Sequence, residues 1–169
     1  QAKEAHQKAH DIGLLGGILD QTFHEAFHLA KRVRSETELT RRPVSLVTLV
    51  ERTIHDHLAL SPAPVLIVGA GEMARQALRL VRSPDPARRV VVANRTLARA
   101  EALVSGDPAA AAIDLATLRS RPPSAGLVVA ATSAEQPLLH RDTLEVIRGP
   151  LPSARPLLVI DLAVPPNVD

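Results

Sequence analysis

Cysteine is absent from the 169 residues, as are tyrosine and tryptophan, and aromatic content stops at Phe23 and Phe27. The missing thiols exclude disulfides, thiolate-bound metals and any cysteine nucleophile within this chain. Without large aromatics the core has to be assembled from Leu, Val, Ile and Ala, which suits parallel strands buried on both faces. No apolar run approaches the length of a membrane span, and no signal peptide is visible. An excess of one charge is lacking too: 20 Lys and Arg stand against 18 Asp and Glu, a net +2. That balance argues against a general nucleic-acid coat but leaves room for a local basic patch, since Arg far outnumbers Lys. The first residue is Gln and opens directly on helical sequence, so the chain reads as a fragment or as the ordered part of something longer.

What is present divides into a helical opening and an alternating remainder. Residues 1–11 read as one helix, ended in the Gly13 to Gly17 region. A stronger helix is expected from Ile18 to about Thr37, where Leu19, Phe23, Ala26, Phe27, Ala30 and Val33 form one apolar stripe. A basic loop should follow over 38–43, and Ser45 is placed to cap a third helix through about Leu58. Leu46, Leu49, Val50, Thr53 and Ile54 are expected to face inward on it. Ser61-Pro62-Ala63-Pro64 marks the domain junction, because two prolines stop a helix and lead into extended chain. Beyond it, strands are expected near 65–68, 89–93, 111–113, 127–131 and 157–161, and helices near 72–82, 97–104, 115–119 and 140–147. Such alternation implies a right-handed parallel sheet. The expected fold is therefore α/β: a Rossmann-like doubly wound sheet over 61–169, preceded by a small helical segment over 1–60.

Residues 65–96 carry the chemistry. An apolar strand runs into Gly69-Ala70-Gly71-Glu72-Met73-Ala74, and a second apolar strand ends at Asn94-Arg95-Thr96. This is a G-x-G-x-x-[G/A] fingerprint between a strand and a helix, the setting it requires. Gly69 makes the tight turn, Gly71 lets a pyrophosphate approach the backbone, and Ala74 allows the helix to pack close to the sheet. The helix N-terminus adds N–H groups and partial positive charge for phosphates. The bland alternative is a glycine turn that binds nothing. NAD sites usually place an acid at the end of the second strand; here Arg95 stands without one and suits a 2′-phosphate, which favours NADP, unless Arg95 is only a helix-start residue. Thr132 and Ser133 follow the strand ending near Ala131 and border the crevice where ribose and nicotinamide lie, unless they merely cap a turn.

Two other patterns compete for attention. His24-Glu25-Ala26-Phe27-His28 matches the H-E-x-x-H helix of zinc hydrolases, with Glu51 or His55-Asp56-His57 as conceivable further ligands. The apolar stripe passes through Phe23, Phe27 and Ala30, so His24 and His28 are expected on its polar flank, and the sequence then turns basic; no metal is assigned. Lys31, Arg32, Arg34, Arg41 and Arg42 form a basic cluster that is either a solvated helix face paired with Glu36 and Glu38 or a contact for nucleic-acid phosphates.

Together these segments resemble glutamyl-tRNA reductase, the NADPH-dependent first enzyme of five-carbon tetrapyrrole biosynthesis. The stretches that carry the resemblance are Gln1 to Ala5, Lys31 to Thr37, Val44-Ser45, Val68 to Met73, Ala93 to Thr96, Ala131 to Ala134 and Ile160 to Pro165. They span nearly the whole chain in the family's order. The resemblance implies that Gly69 to Ala74 hold the NADPH pyrophosphate, that Asn94-Arg95-Thr96 hold the adenosine end, and that Gln1 closes a set of substrate-contacting residues. The family's cysteine thiolate attacks glutamyl-tRNA and releases the tRNA, and hydride from NADPH reduces the resulting thioester to glutamate-1-semialdehyde. That cysteine and the family's catalytic histidine belong upstream of Gln1, and the dimer-forming helical domain belongs downstream. The chain by itself is thus expected to bind cofactor without catalysing, as part of a cytoplasmic enzyme that acts on glutamyl-tRNA and dimerises through a segment not in this sequence, with no membrane association.

Two stretches depart from the family pattern: Arg41-Arg42-Pro43 stands where the family tends to be glycine-rich, and Pro166 where arginine is usual. They keep other readings open. One is an NADP dehydrogenase of shikimate-dehydrogenase-like type, since the Asn-Arg-Thr turn suits both. Another is a non-catalytic truncated homologue that binds nucleotide or a partner protein. A zinc hydrolase ranks last.

Overall fold

The computed structural model describes residues 2–36, 46–149 and 156–169, and its chain forms two compact units, Gln1–Val44 and Ser45–Asp169. Gln1, the 38–43 loop and Ser45 lie outside the described residues, as do the side chains of Arg34 and Leu46. The first unit holds α1 (Ala2–Asp11) and α2 (Gly17–Glu36). Gly13, at φ +70°, ends α1 in the left-handed conformation that an L side chain resists. Phe23 and Phe27 on α2 are half-buried against His6 of α1, with ring centroids 5.2 and 5.5 Å away. The rest of the expected α2 stripe is exposed within this unit, Leu19 and Val33 included.

The second unit holds α3 (Leu46–Leu60), β1 (Val65–Val68), α4 (Glu72–Arg82), β2 (Val90–Asn94), α5 (Leu97–Val104), β3 (Ala110–Asp114), α6 (Leu115–Ser120), β4 (Leu127–Ala130), α7 (Arg141–Arg148) and β5 (Leu158–Asp161). From β1 onward these bounds lie within one residue of those read from the sequence. All strand pairs are parallel and the order is β3-β2-β1-β4-β5. This is the expected doubly wound α/β sheet. Every residue of β1, the central strand, and of its neighbour β4 is fully buried.

Period-two alternation sorts the strand side chains between two cores. Val65, Ile67, Val90, Val92, Leu127 and Val129 face α3, α4 and α5, meeting Ile54, Leu58, Ala77 and Val81. Leu66, Val68, Val128 and Ala130 face α6 and α7 through Leu118 and Ile147. Ala74, wholly buried, lets the first turn of α4 lie against the sheet. The inward face of α3 differs from expectation. Leu49 is 66% exposed and Thr53 is exposed, while Val50, Ile54 and Leu58 are the residues that pack. Steps of four place those three in one line along the helix, and that line docks against the apolar face of α4.

Arg88 fixes how α3 enters the sheet. Its guanidinium is buried and donates to the carbonyls of Leu58 (3.0 Å), Ser61 (2.5 Å) and Ala63 (3.1 Å), with Asp85 3.5 Å from Nε. Carbonyls at a helix end have no partner within the helix, so a buried cation beside β2 satisfies them and anchors the Ser61–Pro64 junction. His57 and His55 add N–H donors to the carbonyls of Gly126 (2.8 Å) and Leu80 (3.4 Å).

Candidate functional site

The order of the strands creates the site. From β1 the chain steps to β2 and β3 on one side, then returns to β4 on the other, so the loops after β1 and β4 diverge. A crevice opens at the carboxyl ends where such an order reverses. There the structure has a cavity of about 750 Å³. Gly69, Ala70 and Gly71 line it from the β1 turn, Glu72 and Met73 from the start of α4, and Asn94, Arg95 and Thr96 from the end of β2. Thr132 and Ser133 line it from the loop after β4. Ala74 lies beneath the helix instead, fully buried, where it spaces α4 from the sheet.

Gly69 is required by the backbone. Its φ is +121°, and a Cβ there would sit 2.3 Å from the carbonyl oxygen of Ala131. The neighbouring ladder is tight: Gly69 N–H donates to Ala93 O (2.7 Å) and Ala131 N–H to Val68 O (2.8 Å). Gly71 is different. Its φ of −89° suits any residue and a Cβ would meet nothing within 4 Å, so its bareness serves open space in front of the α4 N-terminus. No side chain caps that terminus. A helix start of this kind presents N–H groups and positive potential to an anion. Glu72 would oppose one, but Arg75 (3.6 Å), Arg79 (3.5 Å) and Gln76 (3.2 Å) hold its carboxylate.

At the other end of the cavity the charge is positive. The Asn94 amide donates to the Thr96 carbonyl (2.9 Å), a short side-chain turn that presents Arg95 at its tip. Arg99, one helical turn further along α5, and Arg119 on α6 line the same space. Among the described residues no carboxylate lies within ion-pairing distance of Arg95, Arg99 or Arg119. Asp114, which lines this part of the cavity, pairs in register with Asn94 and is spent on capping α6, accepting from the Thr117 N–H at 2.7 Å. Hydrogen bonds from the Thr117 N–H and hydroxyl hold the Asp114 carboxyl below its ordinary pKa. Arg99, Asp114 and Arg119 were not singled out from the sequence. Arg99 carries a local signal, four residues after Arg95, whereas Asp114 and Arg119 reach the site only through the pairing of β3 with β2.

The β4 side is held by polar contacts within the protein. The Thr132 hydroxyl donates to Asn167 Oδ1 and accepts from the Ala134 N–H (3.1 Å), so it works first as a turn-forming group. Asn167 is fully buried, and its loop hangs from Asp161 at the end of β5. That carboxylate accepts from the N–H groups of Ala163 (3.0 Å), Asn167 (2.7 Å) and Val168 (3.0 Å). Here lies the physical task of the Asp-Leu-Ala-Val-Pro segment: it bends the chain after β5 back to brace the Thr132 loop.

Of the H-E-x-x-H residues, His24 and His28 are both exposed, in line with the polar flank expected for them. His55 and His57 serve carbonyls, and Asp56 lies 3.7 Å from Arg52. The basic cluster is described only at Lys31 and Arg32, exposed near the end of α2.

This sheet order, glycine turn and cationic cavity define a dinucleotide-binding type of domain. Residues 48–169 match the family described as shikimate / quinate 5-dehydrogenase, and the chain belongs to it. Residues 1–37 match a second family, the N-terminal domain of glutamyl-tRNA reductase. Over its whole length the chain is a homologue of glutamyl-tRNA reductases. It is 38% identical over 172 residues to that of Stenotrophomonas maltophilia and 36% identical over 174 residues to that of Alkalilimnicola ehrlichii. All of this chain is covered in both alignments but only 39% and 37% of those proteins, so it spans about two fifths of their length. Among solved structures, glutamyl-tRNA reductase from Methanopyrus kandleri aligns at 34% identity and a TM-score of 0.58, over 100% of this chain and 42% of that one. The nucleotide binding domain of the Thermoplasma volcanium enzyme aligns at 22% identity and a TM-score of 0.55, covering 76% of this chain and 82% of that one, and speaks to the fold alone.

Proposed function

We propose that the Ser45–Asp169 unit holds NADPH and that the chain is the cofactor-binding part of a glutamyl-tRNA reductase. The observation that carries the reading is one cavity with a bare glycine turn at one end and, at the other, three arginines that have no acid partner among the described residues. Gly69 to Met73 hold the pyrophosphate against the start of α4. Arg95, flanked by Asn94 and Thr96 and backed by Arg99 and Arg119, takes the adenosine 2′-phosphate, where a guanidinium fits better than any neutral side chain. Thr132 and Ser133 border the ribose and nicotinamide through their loop. When bound, NADPH supplies a hydride; the protein orients it, and the apolar strand ends beneath the crevice keep water from that side.

In the full-length enzyme the substrate is glutamyl-tRNA and the product glutamate-1-semialdehyde. Residues 1–60 are then the end of the catalytic domain and its linker, with Gln1 at the substrate, and 61–169 the cofactor domain on which α3 docks. The two family matches along one chain, reductase N-terminal domain before dehydrogenase-type domain, favour this reading over a shikimate-type dehydrogenase. Calorimetric titration with NADPH and NADH tests it. NADPH binding with a clear preference over NADH supports the assignment, and failure to bind either overturns it. No helix of the described residues is long and apolar enough to cross a membrane.

A further inference from the structure

The helical unit carries a cluster that the nucleotide site does not explain. His6 on α1 is its one buried residue among those described, at 9% exposure, and no apolar side chain of α1 or α2 is fully buried. The His6 Nε2 lies 2.9 Å from Asp20 Oδ1, and the His24 Nε2 lies 4.0 Å from the same oxygen. All three donor atoms fall within 4.8 Å of one another. Phe23 and Phe27 wall the His6 ring on α2, and the His24 ring meets it edge-on at 5.5 Å.

We propose that His6, Asp20 and His24 form a binding site for a divalent transition metal, with zinc as its natural occupant. Asp20 and His24 stand four apart on α2, so they share one face of the helix, and His6 closes the site from α1. Two imidazoles and one carboxylate suit zinc or cobalt; magnesium and calcium prefer oxygen ligands throughout. Tetrahedral ligands at about 2.0–2.1 Å from zinc stand roughly 3.3 Å apart. His6 and Asp20 need to part slightly, and His24, its side chain 71% exposed, is free to swing inward. The fourth position is left to water.

A metal held by side chains from both helices ties α1 to α2. With three protein ligands and one water position the site is of the open type, and its occupant bridges α1 and α2. It also redraws the sequence motif: His24 is used, but its partners are His6 and Asp20, and His28 is not.

The test is zinc titration of this chain by calorimetry, with cobalt absorption as a report of coordination. One zinc per chain is expected, with a four-coordinate cobalt spectrum. His24→Ala, at an exposed position, should keep the helical circular dichroism while weakening zinc binding by at least about tenfold, the low end of what even indirect ligand-shell changes cost. Asp20→Asn should do the same, and His28→Ala should leave binding unchanged. Absence of stoichiometric zinc binding in the unaltered chain overturns the proposal. So does binding that survives His24→Ala, or that depends on His28.

Discussion

Two glycines two residues apart should respond oppositely to alanine. At Gly69 a methyl group would sit 2.3 Å from Ala131 O and 2.8 Å from Ala131 C, on a backbone at φ +121°. Ala131 cannot step aside cheaply, because its N–H is bonded to Val68 O in the central ladder. Strain at such a dihedral costs about 1–3 kcal/mol before any clash is counted. With the backbone collision added, Gly69→Ala should cost about 3–5 kcal/mol and lower the melting temperature by roughly 10 °C or more. Gly71→Ala meets nothing within 4 Å at φ −89°, so its melting temperature should stay within about 2 °C of the parent. Its methyl group instead occupies the space in front of α4. Losing hydrogen bonds to a charged pyrophosphate, at about 1.5–3 kcal/mol, corresponds to a roughly ten- to hundredfold weaker NADPH affinity. Thermal melts read by circular dichroism and NADPH calorimetry on both variants measure the pair. Parent-like melting of Gly69→Ala would refute the steric argument, and parent-like NADPH affinity of Gly71→Ala would refute the placement of the pyrophosphate.

Arg95→Asp should weaken NADPH binding far more than NADH binding, because it replaces the proposed 2′-phosphate partner by a like charge; equal loss for both in parallel titrations would sink the 2′-phosphate assignment. Arg88→Met keeps the apolar stem but strips the carbonyls of Leu58, Ser61 and Ala63 of their donors, and should cost about 3 kcal/mol or more in urea unfolding; an unchanged midpoint would show that the junction is held otherwise. The folded-state pKa of Asp114 lies below its ordinary 3.8, so its contribution is complete above that value and fades as pH falls through the lowered one. Asp114→Asn should flatten the acid side of the stability curve there, and an unaltered curve would remove Asp114 from the account.

Much of this architecture was legible because the signals are local. β1 and β4 read as strands from their short β-branched and aliphatic runs, and burial on both faces follows from the lack of alternation in them. The Gly69 turn could be placed from the strand before it and the helix after it. The inward face of α3 was misjudged through Leu49 and Thr53 because an apolar helix offers several adjacent stripes, and only its contact with α4 selects the one through Val50, Ile54 and Leu58. Arg88 gave no signal at all: one of two adjacent arginines before a strand is ordinary until the chain brings Leu58, Ser61 and Ala63 around it.

The sequence by itself determined the order of elements, the glycine turn and Arg95 as the cationic tip after β2, since these depend on dihedral preference and periodicity over a few residues. Only the tertiary structure decided that Asp114 and Arg119 reach the same cavity, that the Thr132 hydroxyl is engaged by Asn167, and that His24 keeps company with His6 and Asp20. Each of those meetings joins residues far apart in the chain. They depend on which strands pair and which helices cross, and that choice is made by the burial of whole faces, a quantity no short stretch of sequence contains.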